Sequence, residues 1–292
     1  MKTTLTLFIL ISLISCSKNN EKADGYGNFE ATEVTISAEA NGKIDYLKLE
    51  EGDVLEPNMQ VGLVDTTQLY FNKQQLIASK STILSKSSNV LSQINVLKEQ
   101  LKTTLTEQKR IQNMFAENAA TKRQVDEVIG KVNVLQEQIK SVGTQNAPIA
   151  NEAQSIDIQI EKIDDQIQKS KIINPIKGTV LAKYAEPNEV TAFGKPLYKI
   201  ADISEMTLRV YVSETQLAQI KVGQTVTVKI DAEKEMKSYP GTISWIASTA
   251  EFTPKIIQTK EERANLVYAV KVKVKNNGSL KIGMPAEMWI AL

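Results

Sequence analysis

Apolar residues spaced seven apart dominate residues 69 to 171, and they constrain the fold more than any other feature. A 3.5-residue repeat keeps one narrow stripe facing a partner helix, as in a coiled coil. The outgoing part carries one such series, in which Thr104 is the single polar member: Leu69, Leu76, Ile83, Val90, Leu97 and Ile111. The returning part carries two: Val128, Leu135, Val142, Ile149, Ile156 and Ile163, and Val125, Val132, Ile139, Ile160 and Ile167. We predict that two arms of about 49 residues, each about 74 Å long, pack against each other.

Turn and capping residues place the reversal of this hairpin at residues 118 to 120. Asn118 can end the outgoing helix in a left-handed conformation, and Thr121 with Gln124 forms a capping box for the next helix. Gly143 and Pro148 lie inside the returning arm, where an interior proline costs about 3 kcal/mol. Since the heptad phase continues across them, we predict a kink or short interruption near 143 to 148, opposite the serine-rich residues 85 to 92.

The N-terminus has the pattern of a lipoprotein signal. Lys2 precedes an apolar run, residues 5 to 14, that is too short to span a bilayer. The run ends in Leu13-Ile14-Ser15-Cys16, which resembles a bacterial lipobox with Cys16 as the lipidated residue. Residues 17 to 28 are polar, as in a flexible tether. We therefore expect a periplasmic chain held on a membrane by lipid, most simply the inner membrane.

Composition narrows the classes of function. The chain has no histidine and one cysteine, so Ser-His-Asp and Cys-His catalytic sites, disulfides and cysteine-based metal sites are all excluded. A net charge of +1 gives no field for nucleic acid. Adjacent acidic residues such as Asp164 and Asp165 are read as solvated surface. We expect no enzyme activity, no catalytic residue, no metal and no cofactor.

A small β module is duplicated on either side of the hairpin. Residues 36 to 65 and 172 to 201 align without gaps at an offset of 136 positions. Gly52 falls on Asn188 and Asn58 falls on Gly194, which marks equivalent turns because glycine and asparagine accept positive φ most readily. Neither half can bury a core alone, so the halves must pack together. A lipoyl or biotinyl carrier is the alternative, but no Met-Lys or Asp-Lys pair occurs at either turn of the module.

Alternating apolar residues after Met206 predict a small closed β-barrel. The strands are centred on five stretches, 208 to 212, 226 to 230, 243 to 247, 270 to 274 and 286 to 290, and a short helix capped by Ser213 follows the first. Residues 29 to 35 can add a strand beside the barrel. The expected fold is multidomain α+β: a split lipoyl-like domain, also called a barrel-sandwich hybrid, with an inserted long α-helical coiled-coil hairpin, followed by a small β-barrel domain.

The order of the motifs resembles the periplasmic adaptor subunits, or membrane fusion proteins, of the HlyD type. The residues that carry the resemblance are Gly42-Lys43-Ile44, Glu51-Gly52-Asp53-Val54, Asn174-Pro175-Ile176-Lys177-Gly178-Thr179-Val180, Gly194-Lys195-Pro196-Leu197, Val212-Ser213-Glu214, Val222-Gly223-Gln224 and Gly283-Met284-Pro285. The resemblance implies six segments: signal peptide 1–15, tether 16–28, first lipoyl half with a leading strand 29–66, hairpin 67–171, second lipoyl half 172–203 and barrel 204–292.

The resemblance also implies partners. Phe252-Thr253-Pro254-Lys255, with the charged residues up to Arg263, is similar to adaptors of ABC-type exporters, although the charged half reads equally well as a solvated loop. The absence of a further membrane-proximal domain before Leu292 also favours an ABC-type exporter as the partner. At the hairpin tip Arg110, Met114 and Thr121 match, with two conservative changes, the family residues that engage a TolC-like outer-membrane channel. Thr121 as a simple helix cap and Met114 as packing in the coiled coil are the alternatives.

The expected function is efflux of drugs or other small molecules by a homo-oligomeric adaptor, a hexamer as in the family. It would join an inner-membrane exporter to an outer-membrane channel, and no nucleic acid is expected as a partner. Three alternatives are an adaptor of a proton-driven pump, an adaptor of a polypeptide-secreting type I system, and a structural lipoprotein that spaces the cell envelope.

Overall fold

The fold is given by a computed structural model that describes residues 22–232, 235–252 and 266–290. Cys16 and the signal segment lie outside these residues, and so does most of the segment from Phe252 to Arg263. Within the described ranges, no helix is both long enough and apolar enough to cross a membrane.

The predicted helical hairpin is confirmed. Helix α1 spans Thr67–Ala116, and the returning arm consists of α2, Lys122–Gly143, and α3, Asn146–Lys169. In both arms the residues at heptad spacing are the ones turned away from solvent, and Ile83, Val90, Val128, Val132 and Ala153 are buried. The stripe of apolar residues therefore forms one continuous seam between the arms.

The seam also contains a polar series that the sequence pattern did not reveal. Lys73, Lys80 and Ser87 alternate with the apolar residues of α1 and face the returning arm. The amine of Lys73 lies 2.6 Å from a carboxylate oxygen of Asp164, that of Lys80 lies 2.6 Å from Asp157, and the Ser87 hydroxyl donates to the side chain of Asn146 at 3.0 Å. Pairs at this spacing fix the register of the two arms, because a slip would separate each charge from its partner.

The interruption predicted near 143 to 148 is present. Helix α2 ends at Gly143, and α3 begins at Asn146 after Thr144 and Gln145. Pro148 thus lies in the first turn of α3, where a missing N–H breaks no helical hydrogen bond. The bond from Ser87 to Asn146 places the break opposite the serine-rich part of α1, as predicted.

The two predicted lipoyl halves form one domain of two sheets. Their strands are β2 Glu33–Ser37, β3 Gly42–Leu47, β4 Val54–Leu55, β5 Gln60–Val64, β6 Lys171–Ile173, β7 Gly178–Lys183, β8 Val190–Thr191 and β9 Pro196–Ala201. One sheet has the order β2-β9-β7-β4 and the other β6-β5-β3-β8. Each sheet takes strands from both halves, so Gly42 pairs with Thr191 and Leu55 pairs with Gly178. The halves share one core that neither could bury alone.

The backbone repeats at the offset read from the sequence. Gly52 and Asn188 have φ of 95° and 72°, and Asn58 and Gly194 have φ of 63° and 83°. The exchange of glycine and asparagine therefore marks the same left-handed turn positions in the two halves, as predicted.

The predicted barrel is closed. Its strands are β1 Gly25–Glu30, β10 Glu205–Val212, β11 Thr225–Ile230, β12 Lys237–Ile246, β14 Leu266–Lys275 and β15 Pro285–Trp289, with the short β13 Glu251–Phe252 beside β14. They pair in the order β10-β1-β15-β11-β12-β14, and β14 pairs back onto β10. Helix α4, Glu214–Leu217, follows β10 and is capped by Ser213 through a capping box.

The boundary of the N-terminal tether differs from the expected one. Residues 25 to 28, assigned to a flexible tether, are part of β1, which lies between β10 and β15. The strand beside the barrel thus begins four residues earlier than 29, while β2 joins the lipoyl-like domain instead. The composition of this segment suggested a tether, because Gly25, Gly27 and Asn28 are unusual in a strand. Gly27 is required there, since a Cβ on it would lie 1.8 Å from the carbonyl oxygen of Arg209.

Candidate functional site at the hairpin tip

The reversal between α1 and α2 is a tightly bonded turn. Asn118 has φ of 58°, in the left-handed region that the sequence predicted for it. The Asn118 N–H donates to the carbonyl of Phe115 at 3.0 Å, and the Ala119 N–H donates to that of Met114 at 2.7 Å. These two bonds define a Schellman motif, which satisfies the last carbonyls of α1. The turn at the tip is therefore closed by hydrogen bonds of its own backbone.

Thr121 begins the returning arm as the predicted N-cap. Its hydroxyl accepts from the N–H of Gln124 at 3.3 Å, and the Gln124 side chain accepts from the N–H of Thr121 at 2.8 Å. The hydroxyl also donates to the Gln124 side chain at 3.0 Å. Both groups of the capping box are thus engaged within the chain, and the methyl group is the part of Thr121 left for contact with another protein.

Removing the cap gives the first test. We expect Thr121→Ala to lower the free energy of opening the first turn of α2 by about 1 kcal/mol, because the Gln124 N–H loses its acceptor. Exchange of the Gln124 amide with deuterated solvent should become about fivefold faster, whereas Thr121→Ser should leave it unchanged. Thr103→Ala is the matched control, since that hydroxyl bonds only the carbonyl of Glu99 within α1. Unchanged exchange in Thr121→Ala would contradict the capping role.

Arg110 projects from the last turns of α1 and forms an ion pair on the surface. Its Nη2 lies 2.8 Å from Oε1 of Glu107, and 70% of the Arg110 side chain is exposed. The hydrogen bond from Arg110 lowers the pKa of Glu107, and the same bond raises the pKa of Arg110. Since the pair is exposed it adds little to stability. The guanidinium remains on the surface, and arginine has more N–H donors than this one bond uses.

Met114 lies on the same face of α1 as Arg110, one helical turn further on. Met114 is 39% exposed. The seam series Ile94, Leu101 and Gln108 continues at seven-residue spacing to Phe115, so Phe115 and not Met114 occupies the seam position. The structure therefore does not support Met114 as seam packing.

Phe115 is the tip residue that the sequence analysis missed. It is 44% exposed although it lies on the seam series, because the seam ends at the turn and none of the described residues covers it. Met114 and Phe115 together give the tip an apolar surface. An aromatic residue at a seam position, three residues before the turn signal Asn118, was the pattern that could have identified it.

The tip thus combines one guanidinium with an apolar patch on a hydrogen-bonded turn. A flexible thioether and an aromatic ring suit contact with helices of another protein, and arginine adds directional hydrogen bonds. Arg110 and Met114 share a face, while Thr121 lies across the turn at the start of α2. Among the described residues, no group of three acidic or cysteine side chains is placed to hold a metal. The arrangement is suited to binding a protein surface.

This chain is similar to a known domain family and to several membrane proteins. A family described as the YknX-like beta-barrel domain matches residues 206–290. A UPF0194 membrane protein from Yersinia enterocolitica is 25% identical over 285 residues, which is 89% of this chain and 87% of that protein. A UPF0194 membrane protein from Acidithiobacillus ferridurans is 34% identical over 128 residues, and this shorter match spans 44% of the chain and 38% of that relative.

Comparison with solved structures supports the fold. The crystal structure of MacA from Actinobacillus actinomycetemcomitans superposes with a TM-score of 0.56 at 18% identity and covers 90% of this chain and 76% of that one. At this sequence identity the similarity shows the fold alone, that is, the arrangement of hairpin, split β domain and barrel. The predicted fold is therefore confirmed.

Proposed function

We propose that this chain, which has the fold of periplasmic adaptor subunits of the HlyD type, links an inner-membrane exporter to an outer-membrane channel. The observation that carries the proposal is the hydrogen-bonded tip at the end of a helix of 50 residues, about 75 Å long. A long hairpin with a fixed seam can hold a small binding surface far from the β domains. A chain of this design holds the exporter and the channel in position relative to each other and seals the conduit between them. It needs no catalytic residue.

The finer assignments rest on the sequence. The lipobox at Cys16 supports a lipid anchor, with the inner membrane as its site because the barrel would then face an exporter there. The segment after Phe252 supports an ABC-type exporter, and Arg110, Met114 and Thr121 support a TolC-like channel. Drugs or other small molecules are the proposed cargo, and six copies in a ring are the proposed assembly.

Reversing the charge of Arg110 tests the contact at the tip. We expect Arg110→Asp to abolish export, measured as loss of resistance to the exported compound, because the tip would lose its donors and gain repulsion from Glu107. The fold should be unaffected, since the side chain is exposed.

Lys102→Asp is the matched control for this variant. Lys102 is also three residues beyond an acidic partner, with its amine 3.6 Å from Glu99, but it lies on the shaft of α1. Export in Lys102→Asp should stay within twofold of that of the unsubstituted chain. Normal export in Arg110→Asp, or equal loss in both variants, would argue against a channel contact at the tip.

Crosslinking in native membranes, followed by isolation of this chain, tests the partners. Co-isolation of an ATPase and an outer-membrane channel would support the proposed conduit. A proton-driven transporter in place of the ATPase would favour the pump alternative, and an exported polypeptide would favour a type I system. Isolation of neither exporter nor channel would leave the envelope-spacing lipoprotein.

A further inference from the structure

The barrel has a cleft at its surface, which we call the tyrosine cleft. Its volume is about 780 Å³, within the range of about 300 to 1,000 Å³ that small-molecule sites occupy. Most of the surface that lines it is apolar, as is usual in such sites. The lining includes two aromatic, one thioether and three charged side chains: Tyr26, Tyr211, Met236, Lys229, Asp231 and Glu287.

Four of these residues form a row across neighbouring strands on the outside of the barrel. Tyr211 of β10 is opposite Tyr26 of β1, and Tyr26 is also opposite Glu287 of β15. Glu287 is in turn opposite Lys229 of β11. Residues directly opposite each other lie on the same face of a sheet. Since Val210, next to Tyr211, is in the barrel core, this row lies on the outer face.

The charges that line the cleft favour a cation. Two carboxylates, those of Asp231 and Glu287, stand against one amine, that of Lys229, which leaves one negative charge. The amine of Lys229 lies over Trp289, 3.9 Å from the ring centroid, and the indole N–H of Trp289 donates to Glu287 at 3.0 Å. Lys229 is thus held against an aromatic ring, whereas Asp231 is exposed.

The two tyrosine rings add surfaces that attract positive charge. The face of an aromatic ring is electrostatically negative, and a cation within about 6 Å of the ring centroid is attracted to it. Tyr211 already has such a contact, because the guanidinium carbon of Arg209 lies 5.8 Å from its centroid. The charge of Arg209 is paired with Glu251 at 3.1 Å. Tyr26 is 56% exposed, so its ring has surface left for a ligand.

We propose that the tyrosine cleft binds an organic cation that carries an aromatic ring. The positive charge lies against the ring of Tyr26 and near Asp231, and the apolar part of the ligand contacts Met236 and Val267. The flexible thioether of Met236 allows ligands of different shapes to fit. The identification of this ligand as exported cargo rests on the proposed function, but the binding itself does not.

Isothermal titration calorimetry of the full chain in detergent tests the binding, with tetraphenylphosphonium as the probe. This cation carries four phenyl rings, and tetraphenylborate is an anion of nearly the same shape. We expect the cation to bind about tenfold more tightly than the anion, because the cleft carries excess negative charge. Equal affinities of the two ions, or no binding of tetraphenylphosphonium, would overturn the proposal.

Single substitutions locate the site. Tyr26→Ala should weaken binding of tetraphenylphosphonium about fivefold, because the cation loses an aromatic face. Asp231→Asn should weaken it about threefold, since an exposed carboxylate adds a modest attraction.

Each of these variants has a matched control outside the cleft. Tyr184→Ala removes a tyrosine of the lipoyl-like domain that is 45% exposed, and Asp126→Asn neutralises an exposed carboxylate of α2. Both controls should bind tetraphenylphosphonium as tightly as the unsubstituted chain. Unchanged affinity in Tyr26→Ala, or an equal loss in Tyr184→Ala, would place the binding elsewhere and overturn the proposal.

Blocking the cleft gives an independent test. Asn28 lines it from β1 and is exposed. Asn28→Lys adds both bulk and positive charge, and it should weaken binding of tetraphenylphosphonium about tenfold. Asn133→Lys is the control, because it makes the same change at an exposed residue of α2. Exchange protection of the amides in β10 and β15 shows whether the barrel of each variant is folded. Full affinity in folded Asn28→Lys, or an equal loss in both variants, would contradict the cleft as the site.

The results of calorimetry and of crosslinking are separable. Binding at the cleft without co-isolated exporter or channel would uphold the site and count against the adaptor function. Co-isolation of both partners without binding of tetraphenylphosphonium would overturn the site and leave the adaptor function supported.

Discussion

Replacing Asn174 by leucine should lower the stability of the split lipoyl-like domain by about 3 kcal/mol. Asn174 is fully buried and joins the two halves. Its side-chain amide donates to the carbonyls of Glu56, at 2.9 Å, and Ile176, and its oxygen accepts from the hydroxyl of Tyr198 at 3.2 Å. Leucine would leave these buried groups without partners, and each such group costs about 1 to 3 kcal/mol.

Tyr198 shows why this network must stay complete. Its side chain is fully buried, and burial raises the pKa of Tyr198 to about 12, so the hydroxyl keeps its proton and must donate. Asn174→Leu alone would leave the buried Tyr198 hydroxyl without an acceptor. We therefore expect Tyr198→Phe, which removes that hydroxyl, to recover about 1 kcal/mol when it is added to Asn174→Leu.

Hydrogen exchange of the amides in β5 and β9 measures this effect, since it reports opening of this domain separately from the barrel. Asn41→Leu is the matched control: the side chain of Asn41 also accepts a hydrogen bond, from the N–H of Phe193 at 2.8 Å, but it is exposed. It should cost less than about 1 kcal/mol. If Asn174→Leu costs no more than Asn41→Leu, the buried amide does not hold the halves together.

Replacing Phe29 by alanine should destabilise the barrel by about 3 to 5 kcal/mol. Phe29 comes from β1, before the lipoyl-like domain, yet its side chain is fully buried in the barrel core with Leu208, Val272 and Met288. Loss of a buried aromatic ring removes its transfer free energy and leaves a cavity in a closed sheet that cannot collapse freely.

Tyr26→Ala is the control for this variant, because Tyr26 lies on the same strand with 56% of its surface exposed. It should change barrel stability by less than about 1 kcal/mol. Exchange of the amides in β10 and β15, which flank β1, gives the measurement. Equal effects of the two variants would mean that β1 is not an integral barrel strand.

The position of β1 also bears on the proposed function. With a lipid on Cys16, only the residues up to 24 would separate the anchor from the barrel wall, since β1 begins at Gly25. A short connection of this kind would keep the barrel close to the membrane surface. Loss of Phe29 packing is therefore expected to reduce export as well as stability.

The sequence by itself determined the features that depend on local periodicity and backbone conformation. The heptad series predicted both arms, the exchange of glycine with asparagine predicted equivalent left-handed turns, and Thr121 with Gln124 predicted the cap. These were readable because each depends on residues a few positions apart or on a repeat of constant offset.

Only the tertiary structure decided the features in which distant residues supply each other's partners. No sequence pattern pairs Lys73 with Asp164, which lies 91 positions away. Nor does any pattern place Asn174 beside Glu56 and Tyr198. Gly25 was assigned to the tether because its strand is completed only by pairing with β10 and β15. Periodicity reports which face of an element is apolar, but the partner of a buried polar group or an open strand edge is set by chain packing, which no local pattern encodes.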